Sequence, residues 1–196
     1  KKIIFIPNPL ILKEANKFRK RERIILAVAR LNFQKNIGLL IESFSKSIAI
    51  KNNWKLVILG NGEEKKILKR KCKKLNISKF VIFKGFVKKI NNWYKKSSIF
   101  VLSSRFEGMP NALMEAIYFR IPVIGSNIPG IKFFIKNYFN GLLFINNNKD
   151  SLTHCINFLI KNKRKREKFS RNAYNNLKKV SNPILFCQSW KKLLDE

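Results

Sequence analysis

Residues 99–119 read IFVLSSRFEGMPNALMEAIYF, and this stretch predicts a complete strand, loop and helix. Its first four residues are apolar and include β-branched side chains, which predicts a buried strand over 99–102. Pro110 and the apolar periodicity that follows it predict a helix over 110–119. The loop between them follows the carboxyl end of a strand, where the ligands of parallel sheets bind.

The same alternation of short apolar runs and longer amphipathic stretches extends outward in both directions. It predicts strands over 24–29, 56–59, 80–84, 99–102, 121–125 and 141–145. It predicts helices over 36–49, 63–74, 91–96, 110–119, 129–136, 150–161, 164–179 and 183–194. Strands that alternate with helices form a parallel sheet covered on both faces. We therefore predict an α/β fold, namely a doubly wound Rossmann-like parallel sheet of about six strands with helices on both faces.

Length and composition favour one domain. The 196 residues are 45% hydrophobic, which is enough for a buried core. We expect a single domain over 1–196, with a connector or edge element at 1–23 and a C-terminal helix at 183–196. No apolar run approaches the roughly 20 residues of a membrane-spanning helix, and we expect no secretory signal.

The three cysteines are Cys72, Cys155 and Cys187, and no pair of them has CxxC spacing. An odd number of cysteines without such spacing is typical of a reducing cytosol rather than of a disulfide framework or a zinc site. We interpret all three as buried thiols.

The formal net charge is +31, from 42 Lys and Arg against 11 Asp and Glu. A charge of this size attracts nucleic acid and anionic lipid through a salt-sensitive, non-specific interaction. The abundance of Lys, Ile and Asn, which have A/T-rich codons, explains part of the basicity as genome composition. The dense run at 161–171 is interpreted first as a solvated helix face, and no motif for specific nucleic-acid recognition is present.

The helix start after Pro110 is a candidate anion site. A proline at the first helical position leaves the next backbone N–H groups directed out of the helix start, where the helix dipole favours negative charge. We expect these free donors to be the N–H groups of Asn111, Ala112 and Leu113.

Two of the few carboxylates flank this site. Glu107 lies in the loop before the helix and Glu115 lies within it. Both are candidate functional residues, and the alternative that they only balance lysines or occupy the helix surface stays open.

The loops after the first two predicted strands supply cations and glycines. Arg30 and Lys35 are a candidate clamp for a diphosphate, although in so basic a chain they also fit ordinary surface charge. Gly60 and Gly62 allow close backbone approach to a ligand. They do not form a G-x-G-x-x-G dinucleotide fingerprint, because position 65 is Lys65, and a G-x-x-x-x-G-K-[ST] phosphate loop is also absent.

In this context the sequence resembles the retaining GT-B glycosyltransferases of the large bacterial family four, and specifically their C-terminal donor-binding domain. The central element is Glu107 and Glu115 separated by seven residues. The supporting segments, in family order, are 29–36, 56–62, 83–86, 121–124 and 140–143, which read ARLNFQKN, LVILGNG, FKGF, IPVI and NGLL.

The resemblance implies a role for each matching residue. Glu107, Arg30 and Lys35 would be catalytic: the two cations would hold the donor diphosphate, and Glu107 would contact the donor sugar. Glu115 would bind the ribose hydroxyls. The other donor-binding positions would be Gly60, Gly85, Phe86, Val87, Gly108, Met109, Pro110, Asn111, Ala112 and Leu113. No metal and no cofactor are expected, because the nucleotide-sugar is itself a substrate.

The resemblance also implies partners and a location. The partners would be a nucleotide-sugar donor, a glycan or lipid-linked acceptor, an N-terminal acceptor domain that this sequence does not match, and an anionic membrane surface. The location would be cytoplasmic, peripheral on the inner membrane.

Three positions depart from the family pattern, at Ala29, Arg120 and Phe133, and His154 lies outside the motif. A non-catalytic basic domain of the same fold that binds polyanions is the alternative.

Overall fold

The computed structural model describes Pro9, residues 21–181 and residues 183–194. Most of the connector predicted at 1–23 lies outside the described residues, as do the last two residues of the helix predicted at 183–196.

Six parallel strands form one sheet in the order β3-β2-β1-β4-β5-β6. They are β1 (Ile24–Val28), β2 (Lys55–Leu59), β3 (Val81–Gly85), β4 (Ile99–Leu102), β5 (Val123–Ser126) and β6 (Leu142–Phe144). The helices are α1 (Ile37–Lys46), α2 (Lys65–Lys74), α3 (Ile90–Lys96), α4 (Asn111–Tyr118), α5 (Pro129–Lys132), α6 (Lys149–Lys161), α7 (Lys163–Val180) and α8 (Pro183–Leu194). The predicted doubly wound Rossmann-like fold is confirmed.

The sheet separates two apolar cores, because successive strand residues point to opposite faces. In β1, Ile25 and Ala27 pack into the core that includes α1 and α6. Ile24 and Leu26 pack into the core that includes α4 and α7. Strands buried on both faces read as continuous apolar runs, which explains why short unbroken runs located them in the sequence.

One helix is much shorter than predicted. The helix expected over 129–136 ends at Lys132. After that residue the Phe134 N–H donates to Ile131 O, a tighter turn, and the Lys136 N–H donates to Asn140 Oδ1 at 2.6 Å. The side chain of Asn140 therefore replaces the helical acceptor, and the chain turns toward β6.

The cysteine interpretation holds for two of the three thiols. Cys72 and Cys155 are buried, whereas Cys187 is exposed on α8. The prediction for Cys187 was wrong, because this helix position faces solvent.

The order of the strands determines where a site forms. β1 pairs with β2 on one side and with β4 on the other, so the chain direction of the crossovers reverses between β1 and β4. The loops after these two strands therefore separate and leave a crevice at the carboxyl edge of the sheet. This edge carries both the Arg30–Lys35 loop and the Glu107 loop.

Candidate functional site

A cavity of about 500 Å³ opens at the carboxyl edge of β1, β2 and β3. Its lining residues are Val28, Ala29, Arg30, Gln34, Lys35, Leu59, Gly60, Asn61, Gly85, Phe86, Val87 and Ile90. Six predicted site residues thus line one space: Arg30, Lys35, Gly60, Gly85, Phe86 and Val87. Their functional roles stay predictions.

Gly60 brings the backbone of β2 against the loop after β1. Its φ is +125°, and a Cβ atom at this position would lie 2.0 Å from Ala29 O. No other residue fits here, because both the conformation and the space require a hydrogen in place of a side chain. The sequence predicts that Gly60 lets the backbone approach a ligand closely, whereas the close approach in the structure is to Ala29 of the protein itself.

The two predicted phosphate-clamp cations differ in their surroundings. Arg30 is exposed at the cavity rim, and it makes no hydrogen bond or ion pair with the described residues. Lys35 lies at the end of a one-turn 3-10 helix, Phe33–Lys35, whose N-cap Asn32 accepts a hydrogen bond from the Lys35 N–H. Ser103 Oγ donates to Lys35 O at 2.9 Å, so the loop after β4 holds the loop after β1.

Lys35 and Glu107 join the two loops through their side chains. Lys35 Nζ lies 2.5 Å from Glu107 Oε1, and the Ser104 hydroxyl donates to the same oxygen at 2.6 Å. The Glu107 side chain is only 5% exposed and that of Lys35 is 19% exposed. A carboxylate so deeply placed needs its charge partner, and both bonds use a single oxygen, which leaves Oε2 available to accept another donor.

The predicted anion site at the start of α4 is corrected in two respects. Pro110 has φ −83° and ψ 70°, so it is the N-cap and the helix begins at Asn111. The Asn111 N–H donates to Met109 O and the Leu113 N–H donates to Pro110 O. Two of the three N–H groups expected to be free are therefore already used, because the non-helical Pro110 tightens the first turn.

Glu115 of α4 is held by Tyr94 of α3. The Tyr94 hydroxyl donates to Glu115 Oε2 at 2.8 Å, and the tyrosine is completely buried. Its ring stacks on Phe119 with 5.3 Å between centroids. Burial, together with the nearby Glu115 charge, raises the pKa of Tyr94, so its hydroxyl stays protonated and remains a donor.

The structure thus arranges the predicted residues in two neighbouring groups. The first lines the cavity, and the second comprises Glu107, Glu115 and the segment of Gly108, Met109, Pro110, Asn111, Ala112 and Leu113, which does not line it. The Lys35–Glu107 ion pair connects the two groups. The second group adjoins α5, since a Cβ on Gly130 would lie 2.3 Å from Glu107 O.

Sequence reasoning missed four further residues: Gln34, Asn61, Ser104 and Tyr94. Gln34 and Asn61 line the cavity and lie inside quoted motif segments, so their position beside named residues was an available signal. Ser104 lies three residues before Glu107, within reach of the same loop. Tyr94 had no local signal, because its partner is 21 residues away on another helix.

Two features are absent from the part of the chain that the structure describes. Pro9 and the ranges 21–181 and 183–194 contain no group of three His, Cys, Asp or Glu residues that could hold a metal ion. Across those same residues, no helix is both long enough and apolar enough to cross a membrane.

Comparison with known proteins identifies relatives of this architecture. The amylovoran biosynthesis glycosyltransferase AmsD of Erwinia amylovora is 31% identical over 179 residues, covering 91% of this chain and 50% of that protein. The UDP-Gal:alpha-D-GlcNAc-diphosphoundecaprenol alpha-1,3-galactosyltransferase of Escherichia coli is 35% identical over 173 residues. The match covers 79% of this chain and 44% of that protein. The crystal structure of TarM is 25% identical with a TM-score of 0.90, covering 97% of this chain and 39% of that one.

The chain therefore spans about half the length, or less, of the relatives it matches. The family described as Glycosyl transferases group 1 matches residues 11–176, which is most of the sequence. Glu107 and Glu115, the central element of the resemblance, lie within the matched residues. The chain belongs to the glycosyl transferases group 1 family, as a single GT-B C-terminal domain.

Proposed function

We propose that this chain is the donor domain of a retaining glycosyltransferase and that it binds a nucleotide-diphospho-sugar. The observation that carries the proposal is the Lys35–Glu107 ion pair, which lies where the cavity meets the loop before α4. It brings a cation for phosphate and a carboxylate for sugar hydroxyls to within 2.5 Å of each other. A donor lying across this point would contact both.

The proposed chemistry follows from charge. When the glycosidic bond to the diphosphate breaks, negative charge accumulates on the departing phosphate. Arg30 and Lys35 would stabilise that charge more strongly than the charge of the ground state, which is how fixed cations lower a barrier. Lys35 Nζ has three N–H donors, so it can bind phosphate while it keeps Glu107 in place. The proposal requires no metal and no cofactor.

A UDP-sugar is the proposed donor, with a hexose or N-acetylhexosamine as the transferred group. The support is the Escherichia coli relative, whose name specifies UDP-Gal and a diphosphoundecaprenol acceptor. A lipid-linked oligosaccharide or cell-surface glycan is accordingly the proposed acceptor, and the cytosolic face of the inner membrane is the proposed location.

A second domain is proposed to cover the site and to bind the acceptor. Three large aromatic side chains project from the loops after β1, β3 and β4, namely Phe33, Phe86 and Phe106, which are 64%, 84% and 58% exposed. Aromatic groups gathered at one edge are typical of a surface that another protein unit covers. Without such a cover, water enters the crevice and the acceptor is not oriented, so we expect slow or absent turnover by this chain alone.

Calorimetric titration with UDP, GDP and ADP tests the donor proposal. We expect selective binding of UDP, and a loss of about tenfold or more in affinity in the Arg30→Ala, Glu115→Ala double variant. The matched control is Arg171→Ala, Glu167→Ala, which removes the same charge types from the exposed face of α7. The control should bind as the unmodified chain does.

The alternative function is a basic domain that keeps the fold and binds polyanions. It predicts weak and equal binding of the three nucleotides, a steep loss with added salt, and no effect of Glu115→Ala. That set of results would replace the donor proposal.

A further inference from the structure

The turn that carries Lys35 is bound by an arginine of the loop after β4. We define the Lys35 turn as the 3-10 helix Phe33–Lys35. Arg105 Nε donates to Phe33 O at 3.2 Å, and the guanidinium lies over the Phe33 ring with Cζ 4.2 Å from its centroid. The backbone N–H of Arg105 donates to Gln34 O at 2.8 Å. Arg105 thus binds two successive residues of the turn.

The residue after the turn is bound by the same guanidinium. Asn36 has φ 49° and ψ 44°, a left-handed conformation through which the chain passes from the Lys35 turn into α1. Arg105 Nη2 donates to Asn36 Oδ1 at 3.3 Å, and Asn36 Nδ2 donates to Asn147 Oδ1 at 2.9 Å. Left-handed backbone is unfavourable for a residue with a side chain, although least so for Asn. Both atoms of the Asn36 amide therefore help to hold this conformation.

The loop after β6 is the third part of this network. Arg105 Nη1 donates to Asn147 Oδ1 at 2.7 Å, the oxygen that also accepts from Asn36. Asn146 Nδ2 donates to Arg105 O at 3.1 Å. A guanidinium has five N–H donors in a rigid plane, so one side chain can join acceptors from two other loops, whereas an ammonium is a point charge on a flexible stem. Arg105 thus connects the loops after β1, β4 and β6.

Arg105 lies outside the cavity in which the donor is proposed to bind. It lines a separate cavity of about 310 Å³, together with Phe33, Asn36 and Asn147. Lys35, by contrast, lines the first cavity. A ligand in the first cavity would therefore contact Lys35, and Arg105 would act on that ligand only through the Lys35 turn.

We propose that Arg105 is a positioning residue for Lys35. Its bonds fix the chain at Phe33, Gln34 and Asn36, before and after Lys35, and so fix the direction of the Lys35 ammonium toward a diphosphate. A cation that is already oriented binds phosphate more strongly, because less side-chain entropy is lost on binding. The effect on a phosphate ligand rests on the proposed function, whereas the hold on the Lys35 turn does not.

Two substitutions at Arg105 separate geometry from charge. Arg105→Lys keeps the positive charge and loses the planar set of donors, and Arg105→Gln loses both. The matched control is Arg166→Gln, because Arg166 is also half-buried, donates to two backbone carbonyls at the end of α6 and lies over the ring of Trp54. Urea denaturation of each variant checks that it folds.

A further variant weakens the same network without changing Arg105. Asn147 has φ 59°, which glycine adopts freely, so Asn147→Gly removes the shared acceptor without straining the backbone. This variant keeps the proposal testable if substitution of Arg105 prevents folding.

The first measurement is labelling of lysine amines with acetic anhydride in the absence of nucleotide, followed by mass spectrometry. In the unmodified chain the Lys35 side chain is 19% exposed. We expect its labelling rate to increase about threefold or more in both Arg105 variants, and less in Asn147→Gly, because a released turn opens locally. Arg166→Gln should leave the rate unchanged, and the exposed Lys69 is the internal reference. Unchanged labelling of Lys35 in the folded Arg105 variants would overturn the proposal.

The second measurement is calorimetric titration with UDP and UMP. We expect the ratio of UDP affinity to UMP affinity to fall about fivefold in both Arg105 variants, because the second phosphate loses an oriented cation. A ratio that falls in Arg105→Gln and is kept in Arg105→Lys would show that charge alone matters. That result would overturn the proposal, as would an unchanged ratio in both variants. If the unmodified chain binds no UDP while Lys35 labelling increases as expected, the donor proposal fails and the hold of Arg105 on the Lys35 turn is confirmed.

Discussion

At the scale of residues, the carboxylate of Glu115 is held by a hydrogen bond from the buried phenol of Tyr94. Tyr94→Phe keeps the aromatic stacking on Phe119 and removes only the hydroxyl. We expect the free energy of unfolding to fall by about 1.5 to 3 kcal/mol, because a bond to a charged acceptor is lost. UDP affinity should fall with it, because Glu115 is no longer fixed in orientation.

The discriminating measurement for Tyr94→Phe is the ratio of the affinities for UDP and 2′-deoxy-UDP. If Tyr94 positions Glu115 for the ribose, we expect this ratio to fall both in Tyr94→Phe and in Glu115→Ala. Tyr174→Phe, which removes a hydroxyl from α7, is the control and should leave the ratio unchanged. A destabilised Tyr94→Phe variant with an unchanged ratio would limit Tyr94 to a role in stability.

Lys35 has a structural as well as a proposed catalytic task. Lys35→Ala leaves the 5% exposed Glu107 carboxylate without its cation, and we expect a loss of about 3 kcal/mol in the free energy of unfolding. The double variant Lys35→Ala, Glu107→Gln removes the uncompensated charge and should recover part of that loss. Urea denaturation of the four combinations measures the coupling, and additive effects would contradict the ion pair.

At the scale of elements, one half-buried arginine joins the ends of two helices. The Arg21 guanidinium donates to Ser97 O at 2.6 Å, after the end of α3, and to Phe119 O at 2.7 Å, after the end of α4. Burial lowers the pKa of Arg21 to about 10, so the group remains charged at neutral pH. It therefore neutralises the partial negative charge at both helix ends.

Arg21→Met tests this joint role. We expect it to reduce the free energy of unfolding by about 3 kcal/mol, because carbonyl groups of two helices lose their donor at once. Arg23→Met is the matched control, since Arg23 is exposed and donates one bond, to Asn52 O. Thermal unfolding followed by circular dichroism should show a clear decrease in Tm for the first variant and little change for the second.

Prediction from the sequence succeeded where the signal is local. The strands were located because each is a short apolar run buried on both faces. Arg30, Lys35 and Gly60 line one cavity because all three lie in loops after strands, while their functional roles stay predictions. The length of α5 was wrong because Asn140, beyond the predicted helix, supplies a competing acceptor. Tyr94 and Arg21 were missed for a related reason, since their partners are distant in sequence and only the fold brings them together.

At the scale of the whole molecule, the three cysteine thiols differ in how deeply they are buried. Burial raises the pKa of Cys72 to about 11 and that of Cys155 to about 12, while Cys187 is exposed on α8. The thiolate is the reactive form, so the two buried groups are protected both by access and by protonation at neutral pH.

We therefore expect one fast-reacting thiol in the native chain and three after denaturation. Mass spectrometry after brief treatment with N-ethylmaleimide should locate the native modification at Cys187, and Cys187→Ser should remove it. Rapid modification of Cys72 or Cys155 in the native chain would contradict their placement in the core.

The pairing of β1 with β4 has a consequence for how the molecule folds and unfolds. Residues 24–85 build β1, β2 and β3, and residues 99–144 build β4, β5 and β6, so within the sheet two consecutive segments meet along one pair of strands. Closing that contact costs more chain entropy than any strand pairing inside either segment, and we expect it to form last. Lys35 and Glu107 belong to different segments of the sheet. A donor that binds both residues would therefore stabilise the contact between the two segments and slow their separation during unfolding.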